Sequence, residues 1–308
     1  MNKRKLKGNV LLLLTSVIWG ISFIAQSKGV ELISPVAFNG IRTLLGAIVL
    51  LPFIFLIDLG RKKRGEAVSS FFDKKLIIGG FLCGILLCAA TTLQTAGMIY
   101  TSPGKSGFIT ALYMVLVPII GIFIGKKTRP IIWISVVIAV AGLYLMCMDT
   151  SFSVNIGDIL TFFCAIIFAG HIMVIDHFSP KVDGVKLAFL QFFVCGALSL
   201  LWMFIFEKPQ IQPILDCWVA IGYSGIFSCG VAYTLQIVGQ KYTDPTSASI
   251  LMSLESVFAA LSTSILIALG WNLTGGALNV REILGCVLMF AAIILVQLPE
   301  RKRIERPQ

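Results

Sequence analysis

Charged residues are scarce in this chain. They make up 13% of its 308 residues, whereas a soluble domain carries about a quarter. Histidine occurs only twice, and acidic residues number 15 against 25 lysines and arginines. A soluble protein of this length could bury a large core, but its surface would still need charge. The shortage excludes an ordinary water-facing surface.

Several catalytic and metal-binding signatures are also missing. No Walker A string, GxSxG or HExxH is present, so the sequence indicates neither direct use of ATP nor familiar hydrolytic chemistry. The eight cysteines form no CxxC pair, and nearly all lie inside apolar runs. There they are expected to pack as small hydrophobes. We therefore expect no metal site and no cofactor.

Long apolar runs take the place of these features. Hydrophobic residues make up 57% of the chain, and the mean hydropathy is +0.93. A helix of roughly 20 apolar residues crosses a bilayer core of about 30 Å. We predict an all-α polytopic membrane protein whose partner is the lipid bilayer. The ten predicted transmembrane helices span about residues 8–27, 36–57, 76–100, 104–125, 130–148, 157–177, 184–206, 215–241, 245–269 and 281–298.

The positive charges lie at alternate ends of these runs. With the N-terminus in the cytoplasm, 20 of the 25 lysines and arginines fall in cytoplasmic segments, four fall outside and Arg42 lies within an apolar run. This positive-inside pattern predicts a protein of the cell (cytoplasmic) membrane with both termini in the cytoplasm. It also accounts for the net charge of +10 without nucleic acid, which we do not expect as a partner.

The two halves of the chain share a pattern. Thr92-Leu93-Gln94, Gly97, Tyr100, Thr101 and Pro103 recur at one offset as Thr234-Leu235-Gln236, Gly239, Tyr242, Thr243 and Pro245. A second offset aligns Gly8, Leu11, Trp19 and Arg42 with Gly157, Leu160, Phe168 and Gln191. We therefore predict two five-helix repeats, residues 1–150 and 151–308. Because five is odd, the second enters the membrane inverted, as in transporters that bind substrate near the midplane.

Short motifs recur in order along nearly the whole chain, over about residues 10–147 and 157–297. They include Val17-Ile18-Trp19-Gly20, Asn39-Gly40-Ile41-Arg42, Leu116-Val117-Pro118 and Leu254-Glu255-Ser256-Val257. In this order and spacing they resemble the drug/metabolite transporter (DMT) superfamily, EamA-type branch. The resemblance implies two inverted five-helix repeats around a central cavity and alternating access. It also implies transport of amino acids, nucleobases, sugar conjugates or drugs.

The chain departs from the pattern of that family at three places. Glu255-Ser256-Val257 stands where the family often has Glu-Pro-Val. The family often ends the fourth and ninth spans with Leu-Gly-Glu, whereas this chain has Ile124-Gly125-Lys126 and Leu269-Gly270-Trp271. A role assigned to those acidic residues therefore does not carry over.

Two charged residues, Arg42 and Glu255, lie well away from the ends of predicted spans. A charge at the centre of a bilayer costs on the order of 2.5–3.5 kcal/mol by insertion scales. Arg42 could bind a carboxylate or phosphate of a substrate, or it could snorkel or pair structurally. Glu255 could bind an ammonium group, couple transport to protons, or hydrogen-bond a neighbouring helix. A direct ion pair between Arg42 and Glu255 is a third possibility.

The remaining candidates are polar or aromatic residues within the spans. His171 is a second candidate for proton coupling, with a structural hydrogen bond as the alternative. The uncharged candidates for substrate binding are Trp19, Gln94, Tyr113, Gln191, Tyr233 and Gln236. Gln94 and Gln236 are equivalent in the repeat, and aromatic rings could stack on a substrate or serve only in helix packing.

These patterns favour a secondary transporter of a small polar metabolite. An amino acid or related compound and the direction of export are the expected specifics, with a proton or sodium ion as coupling ion. Such a protein works as a monomer or homodimer. The alternatives are a membrane sensor or structural protein without transport, and an intramembrane enzyme.

Overall fold

The computed structural model describes residues 3–101, 103–126, 128–147, 154–271 and 278–298. In these ranges the chain forms ten helical spans, which we label α1 to α10. They are Lys3–Leu32, Pro35–Lys63, Lys74–Gly97, Pro103–Ala111 with Tyr113–Phe123, Pro130–Cys147, Ile156–Phe178, Gly184–Phe206, Trp218–Tyr223 through Thr234–Gln240, Pro245–Met252 with Glu255–Ala268, and Val280–Gln297. A short helix, Ile211–Asp216, precedes α8, and Ser224–Tyr233 within α8 is a π-helix.

The ten-helix membrane architecture that we predicted is confirmed. Nine of the described spans are long and apolar enough to cross a bilayer, and α5 is a shorter apolar helix. Many large apolar side chains on the outside of the bundle are exposed, including Phe55, Phe204 and Val137, as expected of a surface that faces lipid. The predicted boundary between the repeats, at residues 150 and 151, lies outside the described residues.

The packing of the helices follows the inverted repeat of α1–α5 and α6–α10. Helix α3 packs against α6, and its counterpart α8 packs against α1. Likewise α4 contacts α6 while α9 contacts α1. Helices α2 and α7 pack against each other, as do α5 and α10. Every major contact between the halves therefore has a partner related by the repeat.

Local sequence signals set where the helices begin. Asp244 caps the N-terminus of α9 by accepting a hydrogen bond from the Ser247 backbone N–H, and Pro245 follows in the first turn, where the missing N–H costs little. Ser34 caps α2 in the same way through the Ala37 N–H, again ahead of a proline. Asn155 starts α6 with a capping box. These caps satisfy backbone donors that lipid could not.

Helices α4 and α9 are each interrupted at the same place. The breaks fall at Leu112 and Leu254, which are equivalent in the repeat and share backbone angles of φ −60° and ψ −12°. The residue after each break, Tyr113 in α4 and Glu255 in α9, begins the second helical segment. The interruption therefore places these two side chains at matching depths in the two repeats.

Close glycine contacts hold the repeats together at both ends. A Cβ atom on Gly157 would lie 2.5 Å from the carbonyl oxygen of Gly97, so α6 and α3 touch backbone to backbone. Gly239 approaches Gly8 in the same way between α8 and α1. The repeat relates the two pairs to each other, because Gly97 corresponds to Gly239 and Gly157 corresponds to Gly8. Small residues permit such contacts between membrane helices.

Hydrogen bonds beside these contacts repeat the symmetry. The hydroxyl of Thr101 donates to Asp158 Oδ1 at 2.8 Å, and its counterpart Thr243 donates to Asn9 Oδ1 at 3.1 Å. Asp158 also forms an ion pair with Lys105 at 2.5 Å. The same framework is therefore built with a charged residue at one end of the bundle and an amide at the other.

Ionic contacts also tie α2 to α7 at the end of the bundle that carries the N-terminus. Arg61 Nη1 lies 2.5 Å from Asp183 Oδ2. The buried Lys186 contacts Asp58 Oδ2 at 2.7 Å and the carbonyl oxygen of Ser69 at 2.6 Å. Burial raises the pKa of Asp183, but the hydrogen bonds from Arg61 and from two backbone N–H groups outweigh it and hold the pKa below its usual range.

We expect Gly157→Ala to lower the melting temperature of the purified protein. The added methyl group has no room against the Gly97 carbonyl, and overpacking of this kind costs about 1–3 kcal/mol. Gly170→Ala is the matched control in the same helix, since no atom lies within 4 Å of its Cβ position. Equal melting temperatures for the two variants would contradict the close contact.

We expect the stability of the protein to depend on Asp183 under acidic conditions. A carboxyl group whose pKa is lowered on folding stabilises the fold above its usual pKa of 3.8, and this contribution is lost as the pH falls through the lowered value. Asp183→Asn should therefore be less stable than wild type at pH 7, and the difference should shrink towards pH 3.

The measurement is the melting temperature in detergent as a function of pH. Asp73→Asn is the control, because Asp73 also caps a helix but has no ion pair among the described residues. If the difference in melting temperature between wild type and Asp183→Asn stays constant from pH 7 to pH 3, Arg61 does not stabilise the charged carboxylate.

Candidate functional site

A central cavity lies between the two repeats, within the bundle. Seven helices contribute to it. The lining residues are Trp19, Phe23, Gln26, Arg42, Gln94, Thr110, Tyr113, Phe168, Ile172, Ser228, Tyr233, Gln236, Met252 and Glu255. Seven of our nine candidates are therefore brought to one place.

The repeat relates many of these lining residues to one another. Trp19 corresponds to Phe168, and Gln94 corresponds to Gln236. Three more pairs of lining residues follow the same offsets, namely Phe23 with Ile172, Thr110 with Met252, and Tyr113 with Glu255. The cavity is thus built around the symmetry axis of the two repeats, but with different chemistry in each half.

Arg42 reaches the cavity from α2. It is only 2% exposed, and its Nε donates a hydrogen bond to Asn39 Oδ1 at 2.9 Å. Its guanidinium carbon lies 5.3 Å from the centre of the Phe38 ring. Within the described residues, its two terminal nitrogens have no hydrogen-bond partner. They are therefore available to a ligand in the cavity.

Glu255 reaches the cavity from the break in α9. It is 5% exposed, and its Oε1 accepts a hydrogen bond from the Tyr113 hydroxyl at 3.1 Å. The ion pair between Arg42 and Glu255 that we considered does not form, because no contact within 4.0 Å joins them in the described structure. The reason is local, since each charged group is held by a neutral neighbour, Asn39 or Tyr113.

His171 and Gln191 lie behind the cavity wall instead of lining it. Both side chains are 0% exposed, and His171 Nε2 lies 3.0 Å from Gln191 Oε1. The ring of His171 packs against that of Tyr233, with centroids 6.3 Å apart. Neither residue therefore lines the cavity in this structure, and a role in substrate binding stays a prediction for both. The two polar groups bind each other, and Tyr233 is the residue that faces the cavity.

Aromatic rings form one wall of the cavity. The rings of Trp19 and Tyr233 have centroids 4.6 Å apart, and Phe192 packs edge-on against Tyr233 at 5.7 Å. Phe168 completes the wall from α6. Rings positioned in this way offer a flat apolar surface beside the charged groups.

The π-helix in α8 places two of the lining residues. Ser228 and Tyr233 both lie within Ser224–Tyr233, whereas the equivalent stretch of α3 is a regular α-helix. A π-helical turn shifts the direction of the side chains that follow it and is frequent at functional sites. This irregularity carried no clear sequence signal, and Ser228 was not among our candidates.

The other lining residues that we did not predict are of two kinds. Phe168 could have been found by applying the repeat offset to Trp19. Thr110 and Met252 are located by the breaks in α4 and α9, which only the structure shows. Phe23, Gln26 and Ile172 carried no such signal, because an apolar or amide side chain in a membrane helix looks the same whether it packs or lines a cavity.

Polar atoms without partners face or border the cavity. Trp19 Nε1, Gln26 Oε1 and Gln236 Oε1 are buried and have no hydrogen bond in the described structure. Together with Arg42 and Glu255 they offer both donors and acceptors. Groups of this kind cost free energy unless a ligand or water satisfies them.

The cavity is narrow in this conformation. The space open to the centre of a water-sized sphere is about 30 Å³, enough for roughly two water molecules. A metabolite of several heavy atoms therefore requires the lining helices to move apart. No group of three or more histidine, cysteine or acidic residues that could hold a metal occurs in the described part of the chain.

Comparison with known proteins agrees with this arrangement. The EamA-like transporter family matches residues 6–148 and again residues 155–298. An uncharacterized transporter of Archaeoglobus fulgidus is 32% identical over 96% of this chain and 87% of its own length. The uncharacterized inner membrane transporter YedA of Escherichia coli is 24% identical over 92% of this chain and 88% of its own.

The fold is also known from experiment. A solved crystal structure superposes with a TM-score of 0.71 over 94% of this chain and 96% of the other, at 18% identity. That likeness shows the shared fold alone. With both repeats matched, the chain belongs to the EamA-like transporter family and is a multi-pass membrane transporter.

Proposed function

We propose that this protein is a secondary transporter that carries a small zwitterionic metabolite, an amino acid or a close relative, by alternating access. The observation that supports this most directly is the pair of buried, opposite charges in the central cavity. Arg42 and Glu255 both line it, and they are not paired with each other.

A zwitterion carries one group that can pair with Arg42 and another that can pair with Glu255. Isolated charges within a membrane protein are costly, and a ligand that pairs with them offsets that cost. A carboxylate would accept hydrogen bonds from the free nitrogens of Arg42, and an ammonium group would donate to Glu255. The substrate side chain would then lie against the aromatic wall formed by Trp19, Tyr233 and Phe168.

Alternating access is the mechanism that suits the architecture. Two inverted repeats can exchange conformations, which opens a central site first to one side of the membrane and then to the other. The narrow cavity corresponds to a conformation in which the site is largely closed. One chain encloses the cavity, so a monomer suffices, although a homodimer of two such units would work equally.

We assign coupling to a proton or sodium ion, with Glu255 as the first candidate site because it lines the cavity. His171 is the second candidate for proton coupling, acting from behind Tyr233. The charge distribution of the sequence supports cytoplasmic termini, and we take export as the direction of transport.

The direct test is solute flux in liposomes that contain the purified protein. We expect one or more of the twenty standard amino acids to cross faster than in empty vesicles, in response to a pH or sodium gradient. Analogues of a transported amino acid that lack either the amino or the carboxyl group should cross much more slowly. Each of these analogues leaves one of the two buried groups, Arg42 or Glu255, without its partner.

Three outcomes would count against the proposal. Equal flux of the zwitterion and both analogues would remove the assigned roles of Arg42 and Glu255. A thermal shift on ligand binding without flux would favour a sensor. Covalent turnover of a lipid or peptide without flux would favour an enzyme.

We expect Arg42→Ala and Glu255→Gln to abolish flux while the protein still folds. Each removes one of the two charges that pair with the substrate, and the loss should be at least tenfold, as expected for hydrogen bonds to charged groups of about 1.5–3 kcal/mol. The measurement is the initial rate of flux at equal protein content, with the melting temperature as a check of folding.

Residues of the same type that lie outside the cavity supply the controls. Arg281→Ala and Glu31→Gln change charges at the surface of the bundle, and Glu31 pairs only with the neighbouring Lys28 in the described structure. Both controls should transport at the wild-type rate. If Arg42→Ala and Glu255→Gln also do so, the assignment of the binding site is wrong.

A further inference from the structure

The two glutamines that the repeat places in the cavity have different surroundings. Gln94 Nε2 donates a hydrogen bond to Thr110 Oγ1 at 3.1 Å. Gln236 occupies the equivalent position in the second repeat, but its Oε1 is buried without a partner, and its amide makes no hydrogen bond within the described residues. Of the two equivalent amides, that of Gln94 is therefore held by a hydrogen bond and that of Gln236 is not.

The difference follows from a single change in α9. Thr110 lies two residues before the break at Leu112, and Met252 lies two residues before the break at Leu254. Because both breaks share the same backbone angles, Met252 stands where a threonine would complete the second pair. A thioether cannot donate a hydrogen bond and accepts one only weakly.

The amide of Gln236 is buried within the protein. Gln236 is 1% exposed and Met252 is 0% exposed, yet both line the central cavity. A buried amide without a partner is costly, and most such groups in proteins find one. The described residues supply none, which leaves the contents of the cavity as the source of a partner.

We propose that the unpartnered Oε1 of Gln236 accepts a hydrogen bond from the donor group of the transported substrate, and that Met252, unlike Thr110, leaves the orientation of that amide unfixed. Gln94, by contrast, is a structural residue that fastens α3 to α4. The inference deepens the function proposed above and rests on it.

This assignment also orients the substrate. Gln236 and Glu255 are both acceptors and both belong to the second repeat, whereas Arg42 is a donor from the first. The ammonium end of a zwitterion would therefore face α8 and α9, and its carboxylate would face α2.

The experiment compares variants in the liposome flux assay. Its probes are the amino acid that wild type moves fastest among the standard twenty, and the same acid without its amino group as a competitor. We expect Gln236→Leu to raise the KM for the amino acid about three- to tenfold, the loss of one hydrogen bond, with kcat less affected. The inhibition constant of the competitor should not change. Gln94→Leu should raise the KM less than Gln236→Leu does.

Met252→Thr tests the positioning role of Met252. The new hydroxyl should accept a hydrogen bond from Gln236 Nε2 as Thr110 accepts one from Gln94. This pairing would fix the orientation of the amide, so KM should rise in the wild-type background. In the Gln236→Leu background the same change should have no further effect, because the amide is already gone. Met252→Leu, which changes the packing but adds no hydroxyl, should raise the KM less than Met252→Thr does.

The outcomes separate the two proposals. If wild type moves none of the twenty amino acids, the proposed function fails and this inference fails with it. If wild type transports but Gln236→Leu and Gln94→Leu behave alike, only the present inference is overturned. An equal effect of Met252→Thr in both backgrounds would show that Met252 acts through packing and would also overturn it.

Discussion

The structure depends on holding an arginine and a glutamate inside a membrane bundle without pairing them with each other. Arg42 and Glu255 are both nearly buried and line one cavity, where unpaired charges are expensive. Neutral neighbours hold each of them, Asn39 for the guanidinium and Tyr113 for the carboxyl. In the function proposed above, this unpaired arrangement is what leaves both groups to a ligand.

The inverted repeat supplies the frame in which these charges are held. Matching glycine contacts, matching threonine hydrogen bonds and matching helix breaks appear in both halves. These shared features are structural and set the spacing of the helices. Several of the residues that differ between the halves face the cavity, such as Tyr113 and Glu255. The symmetry therefore builds the scaffold, and we propose that departures from it, such as the contrast between Thr110 and Met252, create recognition.

Families of transporters that share a fold can differ in substrate for the same reason. Function depends on the site and not on the fold. Here the family membership establishes a membrane transporter, and the choice of substrate depends on a few side chains around the axis. The π-helix in α8 adds to this, since it aims Ser228 and Tyr233 at the cavity in one half only.

The sequence alone was sufficient for the membrane class, the ten spans, the inverted repeat and seven of the residues that line the cavity. Its strongest signals were physical ones, because long apolar runs must be helices in lipid and a buried charge or amide needs a reason to be there. Repeated motifs such as Thr-Leu-Gln then related the halves.

Only the tertiary structure decided which polar groups satisfy one another. His171 and Gln191 were indistinguishable in sequence from residues that face a cavity, yet they bind each other behind Tyr233. Arg42 and Glu255 could equally have formed an ion pair. Such outcomes depend on distances between helices far apart in the chain, and hydrogen bonds form only within a few tenths of an ångström of their ideal length. A linear sequence records the identity of each polar group but not whether its partner lies within that reach.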